Sequence, residues 1–263
     1  MNRVKWALVD GWTITQRDLN HWARQPWILL VGLLFPVMIV LMFAYIFGGS
    51  MTVAGGGDYR EFLMPGIFAL TMVFGLEATF TAVATDAAKG VTDRFRSMPM
   101  SQGAVVLGRS GADMLNSAAG LLVLVLCGLL IGWRWHEGLA GAAAAIGLLL
   151  WLRFALLWVG IYLALALRSP EAVMALQILI WPLGFFSSAF ASPESMPGWL
   201  GTVVEWNPLS ATAGAARQLF GNPGWGGESW IAQHSLLMAV VWPIVLTLVF
   251  LPLSIRAYGR LGR

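Results

Sequence analysis

The segment from Asp86 to Gln102 carries the densest run of reactive side chains in the chain: Asp86, Lys89, Asp93, Arg94 and Arg96 alternate with Ala87, Val91, Phe95 and Met98. As a helix, it sets Ala87, Val91, Phe95 and Met98 on one stripe with the charges around it, and Pro99 ends the run. That pattern suits recognition. Phe95 and Met98 can enter a cleft on a partner while the charges fix register, or the stripe can lie on lipid. Two more charges stand inside apolar runs, Glu77 and Arg153. Arg153 lies about 15 residues, or ~22 Å of helix, from either charged end of its run. A central arginine costs ~2.5–3.5 kcal/mol on insertion scales, which calls for a partner or a water-filled face. Glu77 is the expected partner. The pair either fixes helix packing or serves substrate passage.

Catalytic signatures are missing. The chain has no Gly-x-x-x-x-Gly-Lys-Ser/Thr phosphate loop, no Gly-x-Ser-x-Gly elbow and no His-Glu-x-x-His. His21, His136 and His234 are far apart in sequence, and Ser110 beside Arg109 has no histidine in a charge-free span core. No catalytic residue, metal set or cofactor of its own is expected.

These residues must be positioned by membrane helices. The 263 residues are 58% hydrophobic and 11% charged, against about 25% charged in a soluble domain. Mean hydropathy is +0.74, with 14 Trp and 14 Phe. There is too little polar surface for a soluble enzyme, and the composition also excludes a disordered chain and a nucleic-acid-binding domain. The +3 net charge and pI near 9.4 therefore speak first to topology. Cys127 is the single cysteine, so no intramolecular disulfide exists.

About 20 apolar residues cross a bilayer. Six runs qualify, near residues 27–48, 64–84, 110–132, 139–167, 172–191 and 233–255. Twelve Lys and Arg fall on one side of this scheme and three (Arg60, Arg134, Arg217) on the other, which places both termini in the cytoplasm. A charged segment precedes the first apolar run, which is not the layout of a signal peptide. Within it Leu8, Trp12, Thr15, Leu19 and Trp22 recur at helical steps, the pattern of an interfacial amphipathic helix.

Between spans 5 and 6, residues 192–232 are unusually apolar for a water-exposed loop. Pro197–Trp206 and Pro208–Phe220 each begin with proline; Asn207 can cap the second and Gly221 can stop it. Two short helices dipping back into the outer leaflet fit this composition. Pro36, Pro182, Pro243 and Pro252 fall within spans as candidate kinks. Gly128 and Gly132, then Gly138, Gly141, Ala142 and Ala145, have the small-residue character of close helix packing. Span 5 mixes aromatic and hydroxyl groups, with Gln177, Trp181, Phe185, Phe186 and Ser187 as candidates for an adaptable apolar path.

The charged segment also carries a family resemblance. An acidic residue, then Gly90, then Asp93-Arg-Phe-Arg-Ser-Met-Pro-Met-Ser101 after the second span resembles the cytoplasmic signature of type 2 ABC exporter permeases, above all the daunorubicin-resistance branch. Tyr59-Arg-Glu-Phe-Leu-Met-Pro-Gly66, Phe186-Ser-Ser-Ala-Phe-Ala-Ser-Pro193 and Trp206-Asn-Pro-Leu-Ser210 with Arg217 agree in order and spacing over nearly the whole chain. Asp86 stands where many relatives carry Glu. The resemblance implies an all-α, six-span permease in the bacterial plasma membrane, forming a single domain over residues 1–263. It implies that Asp86, Lys89, Gly90, Asp93, Arg94, Phe95, Arg96, Met98 and Pro99, within a coupling helix at 86–100, dock a separate ABC ATPase. Residues 5–25 become a connecting helix beside it. It further implies a second permease copy or a sister permease as partner, ATP and Mg held only by the ATPase, and outward movement of hydrophobic or amphipathic drugs, lipids or glycolipids. Trp206, Asn207, Pro208 and Arg217 become external gate candidates. Secondary transport, or a scaffold that transports nothing, is the alternative.

Overall fold

A computed structural model describes residues 26–48, 53, 56–88, 102–167, 170–224, 227 and 229–260. The described residues form helices and connecting turns, with no strand among them. In order, they are α1 (Pro26–Leu41), extended by a π-helical turn at Met42–Phe47, α2 (Tyr59–Ala88), α3 (Gln102–Leu130), α4 (Gly138–Leu167) and α5 (Pro170–Phe185). A short 3-10 turn at Pro193–Ser195 leads to α6 (Gly198–Trp206), α7 (Pro208–Phe220), α8 (Trp230–Gln233) and α9 (Ser235–Arg260).

Among the described residues, four helical stretches are long and apolar enough to cross a membrane: Tyr59–Ala87, Ser110–Leu130, Gly138–Leu167 and Ser235–Gly259. The runs at Gly32–Ile46 and Val173–Phe185 are shorter. The expected boundaries shift accordingly. α2 begins five residues before the expected start at 64, because the polar Tyr59-Arg-Glu turn is itself helical. α3 begins at Gln102, well before its apolar run, and α5 stops at Phe185 where residues up to 191 were expected to be helical. Hydropathy marks where lipid contact begins, whereas helix ends follow backbone hydrogen bonds. Pro36, Pro182, Pro243 and Pro252 do lie inside helices, as does Pro65.

α2 and α4 form the centre. More than half of each apolar window is buried (56% and 61%), against 17% for α3 and 11% for α9. Gly160 lets α4 approach closely; a Cβ there would sit 3.0 Å from the Leu76 carbonyl oxygen. α9 packs along α4, where the Ser254 hydroxyl donates to the Trp158 carbonyl at 2.9 Å. The main core cluster joins Leu63, Met64, Ile67 and Phe68 of α2 to Leu121 and Leu124 of α3, Ala145 and Leu149 of α4, and Phe220 of α7. In lipid this close packing replaces the hydrophobic drive that holds a soluble bundle together.

The small residues near 130 divide by role. Gly132 (φ +103°) is a turn residue between α3 and α4, and Gly138 (φ +72°) is the first residue of α4 with nothing within 4 Å of a Cβ there, so neither serves close helix packing. Gly141 does serve close approach, since a Cβ there would lie 2.4 Å from the Leu219 carbonyl oxygen.

Between α5 and α9, Pro197 is the N-cap of α6 rather than its first residue. Asn207 caps α7, accepting from the Leu209 N–H at 2.9 Å, and Gly221 ends it at φ +69°. α6 is two-faced. Gly201 and Val204 are buried, while Trp199, Thr202, Val203 and Trp206 share one exposed face at helical spacing.

Candidate functional site

Two buried arginines and a file of aromatic rings organise the candidate site. Arg153, in the middle of α4, is 2% exposed. Its Nε donates to the Ser117 hydroxyl of α3 at 2.8 Å, and its Nη2 donates to the Thr79 hydroxyl of α2 at 2.7 Å. Thr79 donates its own proton to Asp113 Oδ2 of α3 at 2.9 Å, while Arg153 Nη2 stands 4.0 Å from the same oxygen. Ser117 in turn donates to the Asp113 carbonyl at 2.8 Å. The room for the guanidinium comes from Gly75, where a Cβ would sit 2.5 Å from Arg153 Nε. Nη1 has no hydrogen-bond partner among the described residues.

The expected Arg153–Glu77 pair does not form. Glu77 is half-buried on α2 and has no hydrogen bond or ion pair among the described residues. The reason is angular: Thr79 lies two residues, about 200° of helix, beyond Glu77, so only one of them can face α4. Asp113 escaped notice because it sits just before the uncharged run of span 3, and α3 extends eleven residues further back, to Gln102. The missed residues, Thr79, Asp113 and Ser117, had one legible signal. Asp113 and Ser117 are i and i+4, and so share a helix face.

Arg217 lies on α7 and is fully buried. Its Nε donates to the Phe62 carbonyl at 2.8 Å; Nη2 donates to the Ser188 and Ala189 carbonyls at 2.8 and 3.2 Å. The guanidinium carbon rests 3.7 Å from the centre of the Phe62 ring. Its acceptors are neutral, and burial pushes its pKa down to about 9, which still leaves it charged at neutral pH. Around it, Tyr59 donates to the Phe190 carbonyl at 3.0 Å, and the Ser210 hydroxyl accepts from the Ser188 N–H at 2.9 Å. Gly66 brings α2 against this turn so closely that a Cβ would lie 2.3 Å from the Ala189 carbonyl oxygen. Asn207 adds two bonds to the end of α5, donating to the Leu183 and Phe186 carbonyls at 2.9 and 2.7 Å. Two of the four gate candidates, Asn207 and Arg217, thus tie α7 to α5 and α2. Pro208 opens α7, and Trp206 is exposed at the end of α6.

The aromatic file begins at Phe43 and passes to Phe190 (ring centroids 4.5 Å apart), Phe185 (5.2 Å) and Trp181 (6.3 Å). Trp181 then meets Phe35 at 4.7 Å and Phe74 at 5.0 Å. Phe35, Trp181 and Phe185 each keep 36% or more of their surface exposed. Of the path candidates, Trp181 and Phe185 belong to this file and Gln177 stands one turn before Trp181. Phe186 is exposed outside the file. Ser187 is buried, and its hydroxyl donates to the Gly184 carbonyl at 2.5 Å, at the end of α5. Arg153 and Glu77 lie apart from the file's ring contacts.

Asp86 lies in the last turn of α2. Lys89, Gly90, Asp93, Arg94, Phe95, Arg96, Met98 and Pro99, like residues 5–25, lie outside the described residues. Among the described residues no group of His, Cys, Asp and Glu could hold a metal ion.

Comparison with known proteins adds the following. A family model described as ABC-2 type transporter matches residues 10–220. The chain is 35% identical over 243 residues to the daunorubicin resistance ABC transporter permease protein DrrB1 of Streptomyces coeruleorubidus, covering 92% of this chain and 83% of that one. It is 27% identical over 198 residues to the doxorubicin resistance ABC transporter permease protein DrrB of Mycobacterium tuberculosis, covering 75% and 68%. It is 24% identical over 240 residues to the putative transport permease ycf38 of Cyanophora paradoxa, covering 86% and 82%.

Proposed function

The chain belongs to the ABC-2 type transporter family, and from that membership we propose that it moves hydrophobic or amphipathic compounds outward as the permease of an ATP-driven exporter. Compounds of the anthracycline kind, named for the daunorubicin and doxorubicin resistance relatives, are the first to try. The observation that carries the reading is the aromatic file of Phe35, Phe74, Trp181, Phe185, Phe190 and Phe43, exposed at Phe35, Trp181 and Phe185 and buried at Phe190. Rings offset or edge-on at these distances offer a flat amphipathic molecule a series of equivalent contacts, none of them tight enough to trap it. Glu77, Arg153, Gln177, Phe186 and Ser187 remain path candidates outside the file's ring contacts.

In this reading the chain crosses the bacterial plasma membrane six times with both termini in the cytoplasm. α1 with its π-helical turn, and α5 with the turn that follows it, supply the two shorter crossings. Residues 86–100 dock a separate ATPase that alone binds ATP and Mg, and residues 5–25 lie beside them at the interface. A second permease, identical or a sister chain, faces the aromatic file. Residues 192–232 dip into the outer leaflet with the Trp199–Trp206 face of α6 toward lipid, and Trp206, Asn207, Pro208 and Arg217 form the outer gate.

The test is daunorubicin uptake into inverted vesicles containing the chain and its ATPase. Trp181→Ala and Phe185→Ala should each lower ATP-driven uptake by about tenfold, with the ATPase still bound. Wild-type uptake in both variants would remove the aromatic path. Phe95→Ala should instead release the ATPase on purification, since a buried aromatic anchor often carries ~2 kcal/mol of an interface. Retention of the ATPase with normal uptake would remove the docking assignment. A cysteine at the exposed position Val203 should react slowly with a membrane-impermeant maleimide, and fast labelling would place α6 in water.

A further inference from the structure

The Arg153 junction ties together two helices that the sequence connects only through the charged segment at their cytoplasmic ends. Thr79 lies nine residues from Ala88, the last residue of α2, and Asp113 lies eleven residues from Gln102, the first of α3. At 1.5 Å per residue these are ~14 and ~17 Å of helix. The two side chains therefore meet at nearly matched distances from the described ends of α2 and α3. α3 buries little of its own apolar surface, so packing alone holds it weakly to the bundle. The polar contacts Thr79–Asp113, Arg153–Thr79 and Arg153–Ser117 are what fasten it at this height. Gly75 keeps the space open for the guanidinium.

We propose that Arg153, through the Thr79 hydroxyl, is a positioning residue that makes α2 and α3 a single lever, so that displacement of the 89–101 segment reaches the aromatic file on the other side of α2. Phe74 of that file is next to Gly75, and thus one residue from the junction. Without the crosspiece, movement of the segment would bend the two helices apart instead of shifting them together. Asp113 and Ser117 hold Arg153 from α3, Thr79 from α2, and the charge of Asp113 balances that of Arg153. The inference rests on the docking of the ATPase at residues 86–100.

The experiment is the complex of permease and ATPase in proteoliposomes, with ATP hydrolysis and daunorubicin transport measured on the same preparation and expressed as transport per ATP. Thr79→Val removes the linking hydroxyl at nearly constant volume, and Thr79→Ser restores it. Gly75→Ala leaves every polar group in place but crowds Arg153 off its partners. Thr79→Val and Gly75→Ala should lower transport per ATP by about fivefold or more while hydrolysis stays within about twofold of wild type, and Thr79→Ser should behave as wild type. An unchanged ratio in Thr79→Val overturns the lever, as does a parallel fall of hydrolysis and transport, which is the signature of a packing role alone. Should one of the two variants fail to fold, the ratio measured on the other supports or overturns the lever in the same way. A wild-type chain that holds no ATPase overturns the docking reading and the lever with it, whereas a bound ATPase with an unchanged ratio overturns the lever alone.

Discussion

Arg153 and Arg217 are both buried guanidinium groups, yet they are satisfied in opposite ways. Arg153 is held by two hydroxyls and a carboxylate contributed by side chains of α2 and α3. Arg217 is held by three backbone carbonyls and the face of Phe62. The difference follows from where each one sits. In the middle of a span the neighbouring carbonyls are already committed to helical bonds, so a buried charge must recruit side-chain acceptors. Where α5 ends at Phe185 and the chain turns, the Ser188 and Ala189 carbonyls are released, and their partial negative charge can receive a cation without a carboxylate. A buried arginine is therefore no proof of a buried acid. At a chain break it reports loose carbonyls; in mid-helix it reports a polar partner on the next helix.

Four experiments break or sharpen this comparison. Arg217→Met should do the most harm, because it orphans the released Ser188 and Ala189 carbonyls, takes the donor from the Phe62 carbonyl and removes a cation–π contact. A loss of about 3 kcal/mol or more is expected, seen as a collapse of monodisperse yield in detergent. Arg217→Lys should recover only part of it, since an ammonium cannot fork to the Phe62 and Ser188 carbonyls together. If Arg217→Met purifies and melts like wild type, the carbonyl-held site contributes nothing to the fold.

Gly66→Ala comes next. The added methyl group meets the Ala189 backbone, which cannot swing aside, and overpacking of this kind costs about 1–3 kcal/mol. Thermal unfolding should show it, while Gly147→Ala, where a Cβ meets nothing within 4 Å, should leave the midpoint unchanged. Equal midpoints for the two variants would contradict the close approach at Gly66.

The third is a double-mutant cycle on Arg153. Arg153→Met and Asp113→Asn should interact by about 0.5–3 kcal/mol, whereas Arg153→Met and Glu77→Gln should add within about 0.5 kcal/mol. Coupling to Glu77 and not to Asp113 would reverse the partner assignment. The smallest effect belongs to Asn207→Ala, which removes the cap of α7. About 1 kcal/mol is expected, with Asn207→Asp keeping the cap but losing the bonds to the Leu183 and Phe186 carbonyls. An Asn207→Ala midpoint identical to wild type would show that Arg217 alone ties α7 to α5.

Much of the architecture was legible because it is written in local terms. Composition forces the chain into lipid, apolar runs mark the helices, and Asn207, Pro208 and Gly221 bound α7 by capping chemistry that needs no distant contact. The resemblance at 86–101, 186–193 and 206–210 pointed to the family. Charge placement also showed that Arg153 had to find a partner. Which partner it found was not legible, because periodicity fixes the face a residue occupies but not the rotation of its helix against a neighbour. Two residues along α2 separate Glu77 from Thr79, and that rotation alone chose the hydroxyl over the carboxylate. The neutral cradle of Arg217 was equally hidden, since every carbonyl is chemically alike until a helix ends and leaves it free. The sequence by itself determined that this is a helical membrane permease, that Arg153 would lie inside a span and that Arg217 would lie in the apolar segment after span 5. Only the tertiary structure decided what surrounds them, because a buried charge is settled by acceptors from residues distant in the chain.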